Sequence, residues 1–422
     1  MASEENNCAG PNSPRSPRSN HPRTPLTAMF DNLDMSTDTS PGKGKGRARP
    51  TIQHSDLSAR SSLRGSLSRN WPPSFGDFEL GVESLGNEAT RAPSPSLNMR
   101  VSTLYRRHGD NWARDSSVED LPADKSEEFL QVSSLMDEIH QYVQMVQENK
   151  ERLATILMED MGKVIYGSNE KARKGLGLDE TLKFCQQIFD GVEGVEYEER
   201  TYDYQAKLEK FVIKKSEFAP NHVIRSRRKV IQHAAAFHHI VTCFVTKNMP
   251  MSEELIKDTH RILVKGVGSG SAGFVSNKEH GGVYRNEDVY VGATSLPKAS
   301  TVPESMRSMV HKLEKDLNAA LAAGRLDPFA LASEYCDRLV NIHPFRDGNG
   351  RMCRLILNAI LIKYAGIVVN VGEHDQSRDE YLQIALESTE VGGHAGALGS
   401  LVLTESRNVL RRIKDKLLMK KR

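Results

Sequence analysis

The stretch NIHPFRDGNGRMCRLIL, Asn341 to Leu357, brings together a histidine, one carboxylate, two glycines around an asparagine, and two arginines. Each type has a chemical use. His343 titrates near neutrality and can take a proton from a hydroxyl. Asp347 is the only carboxylate in the turn, and beside bound phosphates a single carboxylate can hold Mg²⁺. Gly348 and Gly350 leave backbone N–H groups open to close approach by an anion, and Asn349 adds a neutral donor. Arg351 and Arg354, spaced i, i+3, share one helix face, and their forks suit phosphate oxygens. A core segment has no use for this combination.

The flanking sequence says how these groups are held. DPFALASEYCDRLVNIHPF predicts a helix with Asp327 as N-cap and Pro328 at the first helical position. Its buried stripe is Phe329, Ala332, Tyr335, Leu339 and Ile342, and Pro344 forces the exit near His343. RMCRLILNAILIKYAG predicts a second apolar helix closing near Gly366. The turn therefore lies at a helix N-terminus, where unpaired N–H groups and the positive end of the dipole attract anions.

Upstream, apolar residues recur at helical spacing from Ser126, a plausible N-cap, through a pattern running to Gly167. Its stripe includes Leu130, Val132, Leu135, Met136, Ile139, Val143 and Val146. LDETLKFCQQIFDG and SRRKVIQHAAAFHHIVTCFVTKN predict further helices. SEELIKDTHRILVKG predicts another, from an Ser252 N-cap to Gly266. Short β-branched and aromatic runs between Gly266 and Pro303 predict a loop and a β-hairpin. GVGSGSAG, with no strand before it and no GK[ST] after it, is a loop and not a phosphate cradle. The fold class is mainly α with one small hairpin.

Composition divides the 422-residue chain. Residues 1–125 are rich in Ser, Pro, Arg, Asn and Gly and predict a disordered tail, because they cannot bury enough apolar surface to offset chain entropy. Residues 126–248 form a helical region, 249–405 the catalytic core, and 406–422 a basic helix or tail. A net charge of +2 gives no argument for nucleic acid or membrane. Five scattered cysteines predict free thiols, with Cys353 a small apolar filler. The N-terminus has no apolar signal core and the chain no long apolar run, so the expected location is cytoplasmic or nuclear.

HPFRDGNGRMCR resembles the signature of the Fic family, H-x-F-x-[D/E]-G-N-G-R-x-x-R, at every specified position. Other segments are similar too. GGVYRNEDVYVG followed by VPESMRSMVHKLEKDL resembles the family's flap hairpin and following helix. SEELIKDTHRILVKG resembles the helix before the flap, and SRDEYLQIAL the segment after the core. The resemblance implies a Fic-type helical core that transfers AMP from ATP, with Mg²⁺, to a hydroxyl of a target protein. It implies His343 as general base, Phe345 as the loop's anchor and Asp347 as metal ligand. Gly348, Asn349 and Gly350 would line the anion hole, and Arg351 and Arg354 would bind the distal phosphates. A flap at Gly282, Val283, Tyr284 and Arg285 would align the target by strand pairing.

Many family members carry an inhibitory helix, [S/T]-x-x-x-E-[G/N], whose Glu pairs with the second motif arginine. In the matching stretch IYGSNEKARKGLGLDET, Ser168 is present but the Glu position falls on Ala172. TILMED supplies Glu159 as a rival. Three readings stay open: AMP transfer to Ser, Thr or Tyr of a target or of the chain itself; another transfer, or AMP removal, at the same site; and an inactive scaffold for protein partners.

Overall fold

The computed structural model describes residues 62–69, 123–169, 176–192, 220–267, 280–291, 294–323, 326–371 and 395–419. Single residues at 195, 202, 205, 206, 208, 209, 381, 383, 384 and 388 are described as well. The protein is mainly helical. Helix α1 is Leu63–Arg69, α2 is Ala123–Met145, α3 is Gln147–Ser168 and α4 is Leu178–Phe189. Helix α5, Pro220–Ile240, runs on as a π-helical turn over Val241–Thr246. Helix α6 is Glu253–Leu263, α7 Val302–Ala323, α8 Pro328–Ile342, α9 Asn349–Ala365 and α10 Gly396–Leu418. Among the described residues no helix is long and apolar enough to cross a membrane.

Helix α9 is the centre. Met352, Cys353, Leu355, Ile356, Leu357, Ala359, Ile360, Leu361 and Ile362 are all buried. A helix apolar on every side needs neighbours on every side, and α8, α5 and the π-turn supply them. Helices α3, α4 and α5 pack in series, while α10 packs on α2 and α8. One hydrophobic cluster runs through all of them.

Local signals worked where they were strong. Asp327 Oδ1 accepts from the N–H groups of Phe329 and Ala330, with Pro328 at the helix start. Ser252 Oγ accepts from Leu255 N–H. Gly366 caps α9 at φ 65°, whereas α6 ends at Leu263 with Val264 as its cap, and Gly266, left-handed at φ 68°, lies in the turn two residues further on. The long upstream pattern is two helices, not one. It begins at Ala123, ahead of Ser126, and breaks at Val146, which is extended (φ −140°, ψ 122°). Leu130 and Val146, expected inside, are exposed, and Phe129 is buried instead.

Three further expectations change. Within the segment read as a disordered tail, α1 packs on α3 with Leu63 and Leu67 buried, and Arg64 donates to Asp190 and Thr155. The hairpin is reduced to a two-residue antiparallel ladder, Tyr290–Val291 with Thr294–Ser295 (β1 and β2), and Gly282–Arg285 are not strand. The boundary drawn at 405/406 falls inside α10.

Candidate functional site

Helix α8 ends at His343, which is left-handed (φ 49°, ψ 59°), a region histidine enters more readily than most residues. Helix α9 begins after Gly348, left-handed at φ 84°. The turn between them, Pro344 to Asp347, is held by side chains of the motif itself. Asn349 Oδ1 accepts from Phe345 N–H at 3.0 Å, and Asn349 Nδ2 donates to the Phe345 carbonyl at 2.7 Å. Asn349 was expected to offer its side chain to an anion. Both ends of that amide brace the turn instead, so what it can offer is its backbone N–H. Phe345 is fully buried, as an anchor should be.

Asp347 Oδ1 accepts from Gly348 N–H at 2.7 Å, and Oδ2 from Arg351 Nη2 at 3.2 Å. Its side chain is half exposed, whereas that of Arg351 is a tenth exposed. Arg351 Nη1 is buried with no hydrogen-bond partner among the described residues. A guanidinium cannot shed its charge to escape burial, so an unpaired buried N–H calls for an acceptor, and an anion makes the strongest one. Burial pushes the Arg351 pKa down, Asp347 opposes this, and Arg354 adds to it. Arg354 lies one turn on, and its Nε donates to Ser168 Oγ, the last residue of α3, at 2.6 Å.

Burial lowers the His343 pKa; a hydrogen bond to the Val340 carbonyl opposes it, and Arg285 adds to it. With one ring nitrogen donating, the other keeps its lone pair, the form a base needs.

The four flap residues divide. Val283 is exposed and Tyr284 half-buried, tilted over Phe345 at 5.7 Å with Lys257 Nζ 4.3 Å from its ring. Arg285, expected to face a target, is buried. Its N–H donates to the Pro344 carbonyl, Nε to the His343 carbonyl at 2.8 Å, and its terminal nitrogens to the carbonyls of Glu287 and Pro297. Gly282 donates to His260 Nδ1 at 2.9 Å.

Several contributors had no signature in the sequence. His260 reads there as one more inward residue of α6, yet its Nε2 bonds the Asp347 carbonyl at 2.9 Å and its ring stacks on Phe345 at 3.7 Å. Helix α5 brings Lys229 and His233 into the same field. Burial lowers both pKa values, with Arg351 the next cause in each. His233 Nδ1 lies 3.0 Å from Asn169 Nδ2. Glu159 stands elsewhere on α3, paired with Lys163 at 2.7 Å and Lys416 at 3.2 Å. Ala172 lies outside the described residues, as does most of GVGSGSAG. Burial raises the Cys353 thiol well above its usual range, in keeping with an inert filler.

Residues 250–361 match the Fic/DOC family model. A Fido domain-containing protein of Dictyostelium discoideum is 30% identical over 129 residues, covering 30% of this chain and 87% of that protein. The chain belongs to the Fic family. The Fic match spans α6 to most of α9 and so contains the whole turn. A protein adenylyltransferase Fic of Aedes aegypti is 30% identical over 166 residues, covering 39% of this chain. The Fic chain spans only 30% of that relative's length. The solved structure of Fic-1 from C. elegans aligns over 70% of this chain and 74% of its own, at 19% identity and a TM-score of 0.48.

Among the described residues no group of three or more His, Cys, Asp or Glu could hold a metal ion. The donor chemistry nonetheless fits Mg²⁺, which takes one or two carboxylates and completes its shell with water and substrate phosphates. Asp347 is a half-exposed carboxylate of that kind.

Proposed function

We propose that this chain is a protein adenylyltransferase, moving AMP from ATP to a Ser, Thr or Tyr hydroxyl of a target protein, with the chain itself as one acceptor. The observation that carries the reading is the buried Nη1 of Arg351, unpaired among the described residues, at the N-terminus of α9, beside Asp347 and one turn from Arg354. That arrangement suits the polyphosphate of a nucleotide. In this reading residues 249–405 carry the chemistry and the helices before them support it.

The backbone N–H groups after Gly348 and the Arg351 and Arg354 forks orient the β- and γ-phosphates. Asp347 would hold Mg²⁺, which when bound neutralises phosphate charge. The neutral His343 ring takes the proton as the acceptor oxygen bonds to the α-phosphorus. The bond to the β-phosphate oxygen breaks, and pyrophosphate leaves. Most of the catalysis is positioning and charge stabilisation. The N–H groups of Gly282, Val283 and Arg285 are engaged within the chain, so the exposed Val283 side chain and the Tyr284 backbone are what the flap offers an acceptor segment.

Intact-mass measurement after incubation with Mg-ATP, with and without a generic protein acceptor, tests this. The expected result is a gain of one adenylyl group, lost in His343→Ala. A gain of phosphate, or no gain on either protein, overturns it.

A further inference from the structure

Histidine 260 sits between two segments that a transfer reaction must keep in register. Its Nδ1 lies 2.9 Å from Gly282 N, and its Nε2 lies 2.9 Å from the Asp347 carbonyl oxygen. A backbone N–H can only donate and a carbonyl only accept. The ring must therefore be neutral, with the proton on Nε2. No other protonation state satisfies both partners: the opposite tautomer loses both bonds, and the imidazolium loses the one to Gly282.

The surroundings hold the ring where it is. It stacks on Phe345 with 5° between planes. Gly282 comes so close that a Cβ there would lie 2.6 Å from the Lys257 carbonyl oxygen, so the flap approaches α6 as only glycine allows. From the other side Arg285 ties the flap to the carbonyl of His343. The flap is thus fastened at two points, one next to the histidine and one next to the carboxylate.

We propose that His260 is a positioning residue which, through its Nε2–H tautomer, fixes the flap relative to the Asp347 turn and so sets where an acceptor strand lies with respect to the nucleotide. This rests on the adenylyltransferase reading for its consequence in rate, but not for its consequence in structure.

Two variants separate hydrogen bonding from packing. His260→Phe keeps an aromatic ring against Phe345 and removes both bonds. His260→Gln loses the ring but offers a carbonyl oxygen to Gly282 and an amide hydrogen to Asp347. The readouts are kcat/KM for a protein acceptor, KM for ATP, and amide hydrogen exchange at Gly282 to Arg285. The expected outcome is that His260→Phe lowers acceptor kcat/KM by about 10- to 100-fold, as a misplacement approaching 1 Å does, with KM for ATP little changed. Exchange at Gly282 should speed up as well. His260→Gln should stay within about threefold of wild type and keep Gly282 protected. The reverse ranking, with Phe preserving and Gln losing both rate and protection, would show that the ring only packs and would overturn the proposal. If the wild type transfers no AMP, the adenylyltransferase reading fails, and the exchange ranking still decides the fate of His260.

Discussion

Replacing Gly282 by alanine tests the flap at its tightest point. Gly282 is left-handed at φ 73°, where an L side chain costs about 1–2 kcal/mol. Sterics add to this. The new Cβ would lie 2.6 Å from the Lys257 carbonyl oxygen and 3.0 Å from Arg261 Nη2, whereas ordinary contact begins at 3.4 Å. The arginine can swing away, but the carbonyl belongs to α6 and cannot. The flap must therefore retreat by most of an ångström, and the 2.9 Å bond from Gly282 to His260 breaks. Gly348→Ala is the matched comparison. It is also left-handed, at φ 84°, but its Cβ meets nothing closer than 3.5 Å. Both variants should lose about 1–2 kcal/mol from the backbone term alone. Gly282→Ala should lose a further 1–3 kcal/mol or so for the buried His260 nitrogen left without its donor. Thermal melts of the three proteins, read together with acceptor kcat/KM, are the assay. Gly282→Ala should melt lowest and lose about 10²-fold in acceptor kcat/KM. Equal melting of the two variants, or full activity in Gly282→Ala, would refute the steric reasoning.

On the adenylyltransferase reading, His343→Ala removes the proposed base and should lower transfer by about 10²–10⁴-fold while ATP binding by calorimetry persists; near wild-type turnover would remove His343 from that role. Asp347→Ala should shift the Mg²⁺ titration of activity to higher concentration, and an unchanged titration would exclude the carboxylate as ligand. Glu159→Ala should leave activity within about threefold and stability within about 1 kcal/mol, because its partners are Lys163 and Lys416 at a partly exposed site; a rise of about tenfold would make it a brake after all. The His260 pKa is lower in the fold than its ordinary value, so the unfolded chain binds a proton first as pH falls. Stability should therefore drop by about 1.4 kcal/mol per pH unit between about 6.5 and about 4 from this group. Asp347, Arg351 and Arg261 are the charges that act on it, and melts of wild type against His260→Gln should isolate its share.

The turn was legible because its chemistry depends on residue types at fixed offsets, and the helices around it because their caps are strong local signals. Asp327, Ser252 and Gly366 act where the sequence put them. What escaped was decided by packing across the chain. His260 lies 87 residues from Asp347, and nothing in DTHRILVKG marks it out from a core histidine. Asn349 looked like a donor because donors suit anions, but its amide is closer to the backbone of Phe345 than to anything outside. Arg285 was expected within a flap that aligns a target, yet its side chain donates to backbone carbonyls at the end of α8. The break at Val146 has no Pro or Gly to announce it, and a continuous apolar pattern hides it.

The segment that carries the family resemblance is not electrostatically complete. Arg351 and Arg354 stand together at the positive end of α9, an arrangement that repels until something negative arrives. Asp347 offsets the first arginine within the motif. The second is met by Ser168, at the C-terminus of α3, where helix carbonyls present the negative end of another dipole. Helix α3 lies outside residues 250–361, so the charge that steadies Arg354 comes from a part of the chain the motif does not encode. Helix α3 in turn is packed by α4 and by α1, whose Leu63 and Leu67 are buried. A serine at this position is neutral and accepts from Nε, while the terminal nitrogens of Arg354 lie 3.8 Å from where a Cβ on Gly350 would stand. A carboxylate in its place would compete for those nitrogens with the very phosphates they suit.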